Sequence, residues 1–309
     1  MLLSLLDSQN YYSDCTCKMN TMNVLKSQFK KFPLIVKIKR RIWSSLRGIR
    51  DSTTLNILAT FPLYLPYSAG TYRDRASLTI QAINQLFPFL GALSKSVNGN
   101  VLAIEDITNF PQTEPEKLAV AKLKERLDFY GSDKADRHNY HYLYGAILSE
   151  PAKVRNIFEI GLGTNYADVV SNMGVTGKPG ASLRAFRDYC PSASIYGADI
   201  DKRILFEEER IKTYYVDQTN PATFDKLLPE LPRSFDLVID DGLHSPNANV
   251  ESLRFGLGIV RQGGWVVIED IGSEAACIWQ VVAALLPSRY RSYLFNADGG
   301  VVFAVKRLE

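Results

Sequence analysis

The stretch VRNIFEIGLGTN, residues 154–165, decides the fold of this chain. Its first seven residues, 154–160, are rich in apolar and β-branched types, as is typical of a buried strand. Gly161 and Gly163 follow directly, and a residue without a side chain lets a bound ligand approach the backbone closely. The stretch therefore predicts a strand that runs into a ligand-binding loop.

Similar β-rich runs continue toward the C-terminus and alternate with helical patterns. The strand runs are 154–160, 194–198, 212–216, 235–239, 264–268, 290–295 and 300–305, and the helical patterns are 180–189, 202–210, 221–229, 246–260 and 275–286. Such alternation predicts an α/β fold with a parallel sheet and right-handed crossovers. The short segment Asn296–Gly300 joins the last two runs and predicts an antiparallel hairpin.

The chain divides into three zones by composition. Residues 1–50 form a basic N-terminal arm with a charge balance of +8, whereas the remainder balances to −5. This arm either packs on its own body or on a partner subunit, or it contacts anionic lipid or nucleic acid. Residues 51–150 predict a mostly helical accessory or substrate lobe, with helices near 72–95 and 115–130 and a short strand within 101–107. Residues 151–309 hold the alternating pattern.

The overall composition is that of an ordinary globular protein. Of 309 residues, 46% are hydrophobic and 22% are charged, which excludes collagen-like, coiled-coil and wholly disordered classes. The four cysteines, at 15, 17, 190 and 277, form no CxxC pair, so a structural zinc site is not expected and a reduced, cytoplasmic location is. We also expect no signal peptide at Met1–Leu6 and no membrane-spanning helix.

Two acidic residues follow the next strand runs and predict a nucleoside site. Asp199 follows run 194–198, where a carboxylate suits two ribose hydroxyls, and Asp217 follows run 212–216, where it suits an adenine amino group. Asp201 reads as a helix cap. A nicotinamide site would call for a GxGxxG pattern, but Tyr166 stands where the third glycine belongs, which disfavours an oxidoreductase.

The fourth and fifth runs end in acids that predict a metal site. Asp241 follows run 235–239 within Asp240–His244, and Glu269 and Asp270 follow run 264–268. In the expected sheet the fourth run lies beside the first and the fifth beside the fourth. Neighbouring strands lie roughly 4.8 Å apart, so the three acids can converge on one point. Hard oxygen ligands suit Mg²⁺ or Ca²⁺, and His244 is placed to act as a general base. The alternative is that each acid only caps the helix or loop that follows it.

Together these motifs resemble the class I S-adenosylmethionine-dependent methyltransferases, which have a Rossmann-like sheet. More narrowly, they resemble the metal-dependent sugar O-methyltransferases of macrolide biosynthesis, the mycinamicin and macrocin type. The resemblance covers about 130–309 and rests on Glu159-x-Gly161-x-Gly163 with Asp199 and Asp217, on Gly131–Lys134 with His138 and Tyr140, on Ser182–Tyr189, on Asp240–His244 and on Ile268–Asp270.

The resemblance implies a Mg²⁺-dependent O-methyltransferase that uses S-adenosylmethionine. It implies His244 as the catalytic base, Asp241, Glu269 and Asp270 as metal ligands, and a cofactor site formed by Glu159, Gly161, Gly163, Asp199, Asp217, Asp133 and Ser182. The expected partner is a small-molecule or glycan acceptor with a sugar hydroxyl, without nucleic acid, and self-association into a homo-oligomer is open.

The sequence departs from the family at two places. Asn165 stands where many methyltransferases have a third glycine, and Leu243 stands where the family often has serine. Residues 1–110 match no family that we can name, so the acceptor is not specified. A second hypothesis is therefore a non-catalytic scaffold protein that keeps the fold and acts through its basic arm.

Overall fold

The computed structural model describes residues 57–58, 72–99 and 101–309. Contacts divide the chain into two units, Met1–Asn84 and Gln85–Glu309. In the first unit the described residues are Ile57, Leu58 and the first part of helix α1 (Tyr72–Asn98). The predicted basic arm lies outside the described residues, and its role stays a prediction, as do the three predicted domain boundaries.

The second unit is built on one mixed sheet. Within the described residues its strands are β1 (Ile104–Asp106), β2 (Asn156–Ile160), β3 (Ser194–Asp199), β4 (Glu207–Glu208), β5 (Ile211–Tyr215), β6 (Phe235–Asp240), β7 (Val260–Ile271), β8 (Tyr290–Ala297) and β9 (Gly300–Arg307). Their order across the sheet is β1-β8-β9-β7-β6-β2-β3-β5-β4. The pairs that join β5, β3, β2, β6 and β7 are all parallel, and β9 runs antiparallel to β7 and β8. The predicted α/β class, the parallel strands and the terminal hairpin are confirmed.

The strand register brings the carboxyl ends of the central strands to one edge. Ile160 in β2 lies opposite Ala198 in β3 and Asp240 in β6, and Asp240 lies opposite Ile268 in β7. The residues that follow these positions therefore emerge side by side, as ligand-binding residues do in open α/β sheets. The fourth and fifth strand runs of the sequence are β6 and β7, and the predictions that the fourth lies beside the first (β2) and the fifth beside the fourth are confirmed.

The remaining described helices cover both faces of the sheet. They are α2 (Glu114–Tyr130), α3 (Asp133–Asp136), α4 (His141–Ile147), α5 (Ala181–Tyr189), α6 (Pro221–Leu227), α7 (Pro246–Ile259) and α8 (Ala276–Leu285). Alternate residues of β2 enter different cores: Ile157 packs in the cluster with α2, α4 and α5, and Phe158 packs in the cluster with α6, α7 and α8. Burial on both faces explains why neighbouring residues of this strand, Ile157 and Phe158, are both apolar.

The turn after α2 places the next functional segment. Thr113 and Glu116 form a capping box at the start of α2, and Gly131 ends the helix with a left-handed φ of 70°. Ser132 then caps the short helix α3 by accepting from the amide of Lys134. The chain is thereby turned back so that Lys134 is buried in the second unit.

The predicted helix at 202–210 is wrong. Only a 3-10 turn, Lys202–Ile204, forms, and the chain then extends into β4, which pairs antiparallel with β5. The hydroxyl of Thr213 accepts from the amide of Phe206 and donates to its carbonyl, both at 2.6 Å. These bonds fix the extended backbone that the local sequence pattern alone does not favour.

Among the residues that the structure describes, no helix combines the length and apolar character needed to cross a bilayer.

Candidate active site

The glycine loop, Gly161–Gly163, leaves β2 at the carboxyl edge of the sheet. Gly161 and Gly163 have φ values of +93° and +77°, in the left-handed region that favours glycine. The amide of Asp241 donates to the carbonyl of Ile160 at 2.8 Å, which holds the ends of β2 and β6 together. A Cβ atom on Gly161 would overlap the carbonyl oxygen of Asp241. Gly161 is therefore required because any side chain at this position would collide with the backbone that follows β6.

Asp199 ends β3 beside the glycine loop and is buried. Its Oδ2 accepts from the amide of Leu162 and its Oδ1 from the amide of Asp201, both at 2.7 Å. Burial raises the pKa of the Asp199 carboxyl, and the backbone donors oppose this only in part. Asp201 accepts from the amide of Arg203 at 3.0 Å and caps the 3-10 turn, so its predicted capping role is confirmed.

A cleft of about 860 Å³ opens beyond these strand ends. Sites for cofactors and small molecules typically have volumes of roughly 300–1,000 Å³. The predicted site residues that line it are Asp133, Gly161, Gly163, Ser182, Asp199, Asp217, Asp241, His244 and Asp270. Glu159 and Glu269 do not line the cleft and are buried.

Two of the predicted cofactor residues, Asp217 and Ser182, already form hydrogen bonds within the protein. One carboxylate oxygen of Asp217 accepts from the amide of Thr219 at 2.9 Å and from its hydroxyl at 2.7 Å, and both donors lie two residues on. The hydroxyl of Ser182 donates to Glu159 Oε2 at 2.7 Å. Glu159 therefore supports the cleft through Ser182 rather than by lining it.

Asp241, His244 and Asp270 come together at the ends of β6 and β7, and we call them the Asp–His–Asp cluster. One potential ligand atom from each lies within 4.8 Å of the others. His244 Nε2 is 3.2 Å from Asp241 Oδ1 and 3.5 Å from Asp270 Oδ2. His244 and Asp270 have φ values of 54° and 53°, a left-handed conformation that is uncommon outside glycine and concentrates at functional sites.

The cluster sets the protonation of its histidine. Burial by itself lowers the pKa of His244, but the hydrogen bond to Asp241 and the negative charges of Asp241 and Asp270 outweigh burial, so the pKa lies above its ordinary value. The second ring nitrogen, Nδ1, lies 3.4 Å from the hydroxyl of Ser171. This histidine is therefore well placed to hold a proton between the two carboxylates.

Lys134 lines the cleft, and the sequence reasoning assigned it no role. Its ammonium is buried, 2.6 Å from Asp241 Oδ2 and 3.1 Å from Glu159 Oε1, and it also pairs with Glu269 Oε2. Burial by itself lowers the pKa of Lys134, but the three carboxylates outweigh it and raise the pKa well above its usual value. Lys134 therefore stays charged and offsets part of the negative charge of the site.

Two tyrosines of the same segment hold the acids at the end of β7. The Tyr140 hydroxyl donates to Asp270 Oδ1 at 2.5 Å, and the Tyr144 hydroxyl donates to Glu269 Oε1. Burial, followed by the charges of the acids, raises the pKa of both phenols. Lys134 and Tyr140 were visible in the sequence only as part of a motif, and Tyr144 only as one of several nearby tyrosines.

The donor atoms fit a hard divalent cation at the Asp–His–Asp cluster. Mg²⁺ is commonly bound by one or two carboxylates with water completing the shell, and imidazole suits it less well. Asp241 and Asp270 could supply such carboxylates, which would leave His244 free for proton transfer. Both oxygens of Glu269 are engaged by Lys134 and Tyr144, and its predicted role as a ligand stays a prediction.

Comparison with known proteins gives several relatives. No protein-family model matches the chain. Demethylmacrocin O-methyltransferase from Streptomyces fradiae is 38% identical over 92 residues, and mycinamicin VI 2''-O-methyltransferase from Micromonospora griseorubida is 40% identical over 93 residues. Each match covers 30% of this chain and 23% of the relative.

A longer match is to 8-demethyl-8-(2-methoxy-alpha-L-rhamnosyl)-tetracenomycin-C 3'-O-methyltransferase from Streptomyces olivaceus. It is 31% identical over 132 residues, which is 43% of this chain and 31% of the relative. Among solved structures, MycE methyltransferase from the mycinamycin biosynthetic pathway, in complex with Mg and SAH, has a TM-score of 0.49 and 24% identity. That match covers 60% of this chain and 54% of MycE.

The matches thus span less than a third of these sequence relatives. Even so, they are with the macrocin and mycinamicin enzymes that the motifs predicted. The predicted resemblance is confirmed: the chain is similar in sequence to sugar O-methyltransferases of the macrocin and mycinamicin type.

Proposed function

We propose that this chain is an S-adenosylmethionine-dependent O-methyltransferase that uses Mg²⁺ and methylates a sugar hydroxyl. The observation that carries the proposal is the placement of the Asp–His–Asp cluster in the same cleft as the glycine loop and Asp199. A nucleoside-binding strand edge and a proton-accepting, cation-binding cluster are the two parts that such a reaction requires. The relatives' names support the same chemistry.

In this proposal the cofactor lies along the ends of β2, β3 and β5. The glycine loop lets the cofactor approach the protein backbone closely, and Asp199 and Asp217 face the ribose and adenine of the cofactor. Asp133 and Ser182 complete the wall at the amino-acid end, and the buried Glu159 holds Ser182 from behind. Because Asp199 is already fixed by two backbone amides, its carboxylate needs no rearrangement when a ribose binds.

The acceptor lies between the cofactor and the Asp–His–Asp cluster. Its hydroxyl oxygen attacks the sulfonium methyl, the carbon–sulfur bond breaks, and S-adenosylhomocysteine leaves. His244 takes the hydroxyl proton at Nε2, where Asp241 and Asp270 stabilise the imidazolium. A divalent cation, held by Asp241 and Asp270 with Glu269 as the further predicted ligand, supplies Lewis acidity when bound. Holding the two substrates in line contributes the remainder of the rate acceleration.

The acceptor class proposed is a sugar on a small natural product or in a polysaccharide, without nucleic acid. Self-association and a cytoplasmic location, the latter expected from the few cysteines, are parts of the same proposal. The scaffold hypothesis is not favoured, because the cleft retains acids and a histidine in contact, which a purely structural role does not require.

Calorimetric titration with S-adenosylhomocysteine, with and without Mg²⁺, tests the proposal. We expect micromolar binding in both buffers, since the cofactor and cation use different strand ends. A screen of sugar acceptors with Mg²⁺ present then tests methyl transfer. A folded sample that binds no S-adenosylhomocysteine in either buffer overturns the proposal.

A further inference from the structure

The two carboxylate oxygens of Asp241 have different partners: one pairs with the Lys134 ammonium, and the other faces His244 in the cluster. Lys134 Nζ lies 2.6 Å from Oδ2, and His244 Nε2 lies 3.2 Å from Oδ1. Only 1% of the surface of Lys134 is exposed, and its ammonium also pairs with Glu159 and Glu269, so it is held against these carboxylates. Oδ2 of Asp241 is therefore engaged by the ammonium, and Oδ1 is the oxygen that faces the cluster.

Asp270 repeats this arrangement with a different donor. The Tyr140 hydroxyl donates to Oδ1 at 2.5 Å, and Oδ2 lies 3.5 Å from His244 Nε2. The same hydroxyl accepts from the backbone amide of Asp270 at 3.3 Å. A hydroxyl has one hydrogen, so accepting from the amide directs that hydrogen to the carboxylate. Tyr140 is 1% exposed and is held in place as firmly as Lys134.

The two donors belong to one stretch of chain that lies outside the strand ends. Lys134 is in α3 and Tyr140 is the residue before α4, whereas Asp241 follows β6 and Asp270 lies near the end of β7. The separations along the chain are 107 residues for Lys134 to Asp241 and 130 residues for Tyr140 to Asp270. The orientation of both carboxylates thus depends on how this stretch packs.

We propose that Lys134 and Tyr140 are positioning residues that make Asp241 and Asp270 one-oxygen ligands of the divalent cation. The inference rests on the proposed function. A carboxylate with both oxygens free takes up two coordination positions, whereas Mg²⁺ holds near-octahedral geometry and usually keeps several waters. Tying one oxygen of each acid leaves positions for water and for the acceptor. Lys134 also reduces the negative charge that the cation would otherwise meet.

The test measures Mn²⁺ binding to the full chain, since Mn²⁺ is a spectroscopic probe for a Mg²⁺ site. Tyr140→Phe removes the hydroxyl and keeps the ring, and we expect Mn²⁺ affinity to fall about tenfold, the size typical when a partner behind a ligand is lost. The enhancement of water-proton relaxation by bound Mn²⁺ should also fall, because a freed Asp270 carboxylate displaces a bound water. Affinity for S-adenosylhomocysteine without metal should stay within about twofold.

Tyr130→Phe is the matched control. The Tyr130 hydroxyl donates to Asp188 Oδ2 at 2.5 Å, the same phenol–carboxylate bond, but neither residue lines the cleft. We expect wild-type Mn²⁺ binding and relaxation for this variant. Lys134→Gln is a second probe, but it also removes a positive charge that repels the cation, so its Mn²⁺ affinity changes for two opposing reasons. For this variant the readout is therefore the water-proton relaxation enhancement per bound Mn²⁺, which should fall as it does for Tyr140→Phe, and if the variant does not fold, Tyr140→Phe decides the question alone.

The outcomes separate the inference from the proposed function. Saturable Mn²⁺ binding by the wild type, with unchanged or tighter binding by Tyr140→Phe, overturns the positioning role and leaves the methyltransferase proposal standing. A folded wild type that binds S-adenosylhomocysteine but not Mn²⁺ overturns both the positioning role and the metal part of the proposal.

Discussion

The cleft has two halves that are held in place differently. The cofactor half is formed by the glycine loop, Asp199 and Asp217, and the acid half is the Asp–His–Asp cluster with the buried Glu269. In the cofactor half, most donors to the acids lie close along the chain: Asp199 accepts from the amide of Asp201 and Asp217 from Thr219, each two residues away. The longer contact there is the one from the amide of Leu162 to Asp199, across 37 residues. In the acid half, Lys134, Tyr140 and Tyr144 hold acids that lie 107 to 135 residues away. The cofactor half is thus largely a property of individual loops, whereas the acid half exists only when α3 and α4 are packed against the sheet.

This difference implies that changes in one half should leave binding in the other largely intact. The exception is where the halves touch through the backbone, at Gly161 and the carbonyl of Asp241. Substitutions placed in each half and at that contact therefore test whether the division is real.

His244→Asn carries the largest expected effect and is confined to the acid half. Asparagine tolerates the left-handed backbone at this position, so the change removes the base without adding strain. We expect the rate of S-adenosylhomocysteine release, with a sugar acceptor that the wild type methylates, to fall roughly 10²–10⁴-fold. The Kd for S-adenosylhomocysteine should change less than about twofold. Unchanged turnover would contradict the base assignment.

Gly161→Ala tests the contact between the halves. The new methyl group overlaps the Asp241 carbonyl, and alanine is strained at a φ of +93°. We expect the free energy of unfolding to fall by at least about 2 kcal/mol, with loss of S-adenosylhomocysteine and Mn²⁺ binding together. Urea denaturation and calorimetry measure these quantities.

Gly258→Ala is the matched control for that change. Gly258 lies in α7, where an added Cβ meets nothing within 4 Å. Its stability should be unchanged or higher by up to about 1 kcal/mol. Equal losses in the two variants would show that the Gly161 contact has no special role.

The pH dependence of unfolding tests the packing that supports the acid half. His141, at the start of α4, is buried, and burial, with the nearby charge of Lys124 adding to it and that of Asp128 opposing it, lowers its pKa to about 4. Between the unfolded value of roughly 6.5 and this folded value, the unfolded chain binds more protons, so stability falls as pH drops through that window. From pH 7 to pH 5 we expect His141 to account for about 2 kcal/mol of lost stability.

His141→Phe isolates that contribution, because phenylalanine fills the site without titrating. Its free energy of unfolding should fall less than that of the wild type over the same pH range, while other titrating groups act equally on both. Parallel pH profiles for the two proteins would place the loss elsewhere in the molecule.

Asp199→Asn carries the smallest expected effect and is confined to the cofactor half. The asparagine side chain places an NH₂ group against one of the two backbone N–H groups that donate to Asp199 in the wild type. This repulsion, together with the lost negative charge, weakens the contact to a ribose. We expect roughly tenfold weaker S-adenosylhomocysteine binding and Mn²⁺ affinity within about twofold. A matching fall in Mn²⁺ affinity would show that the halves are coupled more strongly than the contacts indicate.

The elements that could be predicted are those with a local signal. The strand with its two glycines, the acids at Asp199 and Asp241 and the terminal hairpin all follow from short-range patterns, because strand period and turn chemistry act over a few residues. The missing helix at 202–210 shows the limit of that reasoning. The segment has a helical pattern, but pairing with β5 and hydrogen bonds with the Thr213 hydroxyl make it extended. These contacts form only after the chain has turned back on itself.

By itself the sequence determined which residue types stand at which strand ends, and hence the chemistry available at the edge of the sheet. Tertiary structure alone decided that Lys134, Tyr140 and Tyr144 reach those ends and that Glu269 lies behind the Asp–His–Asp cluster. The physical reason is that these contacts pair buried charges and phenols across more than a hundred residues, and no pattern along the chain records which buried donor will meet which acid.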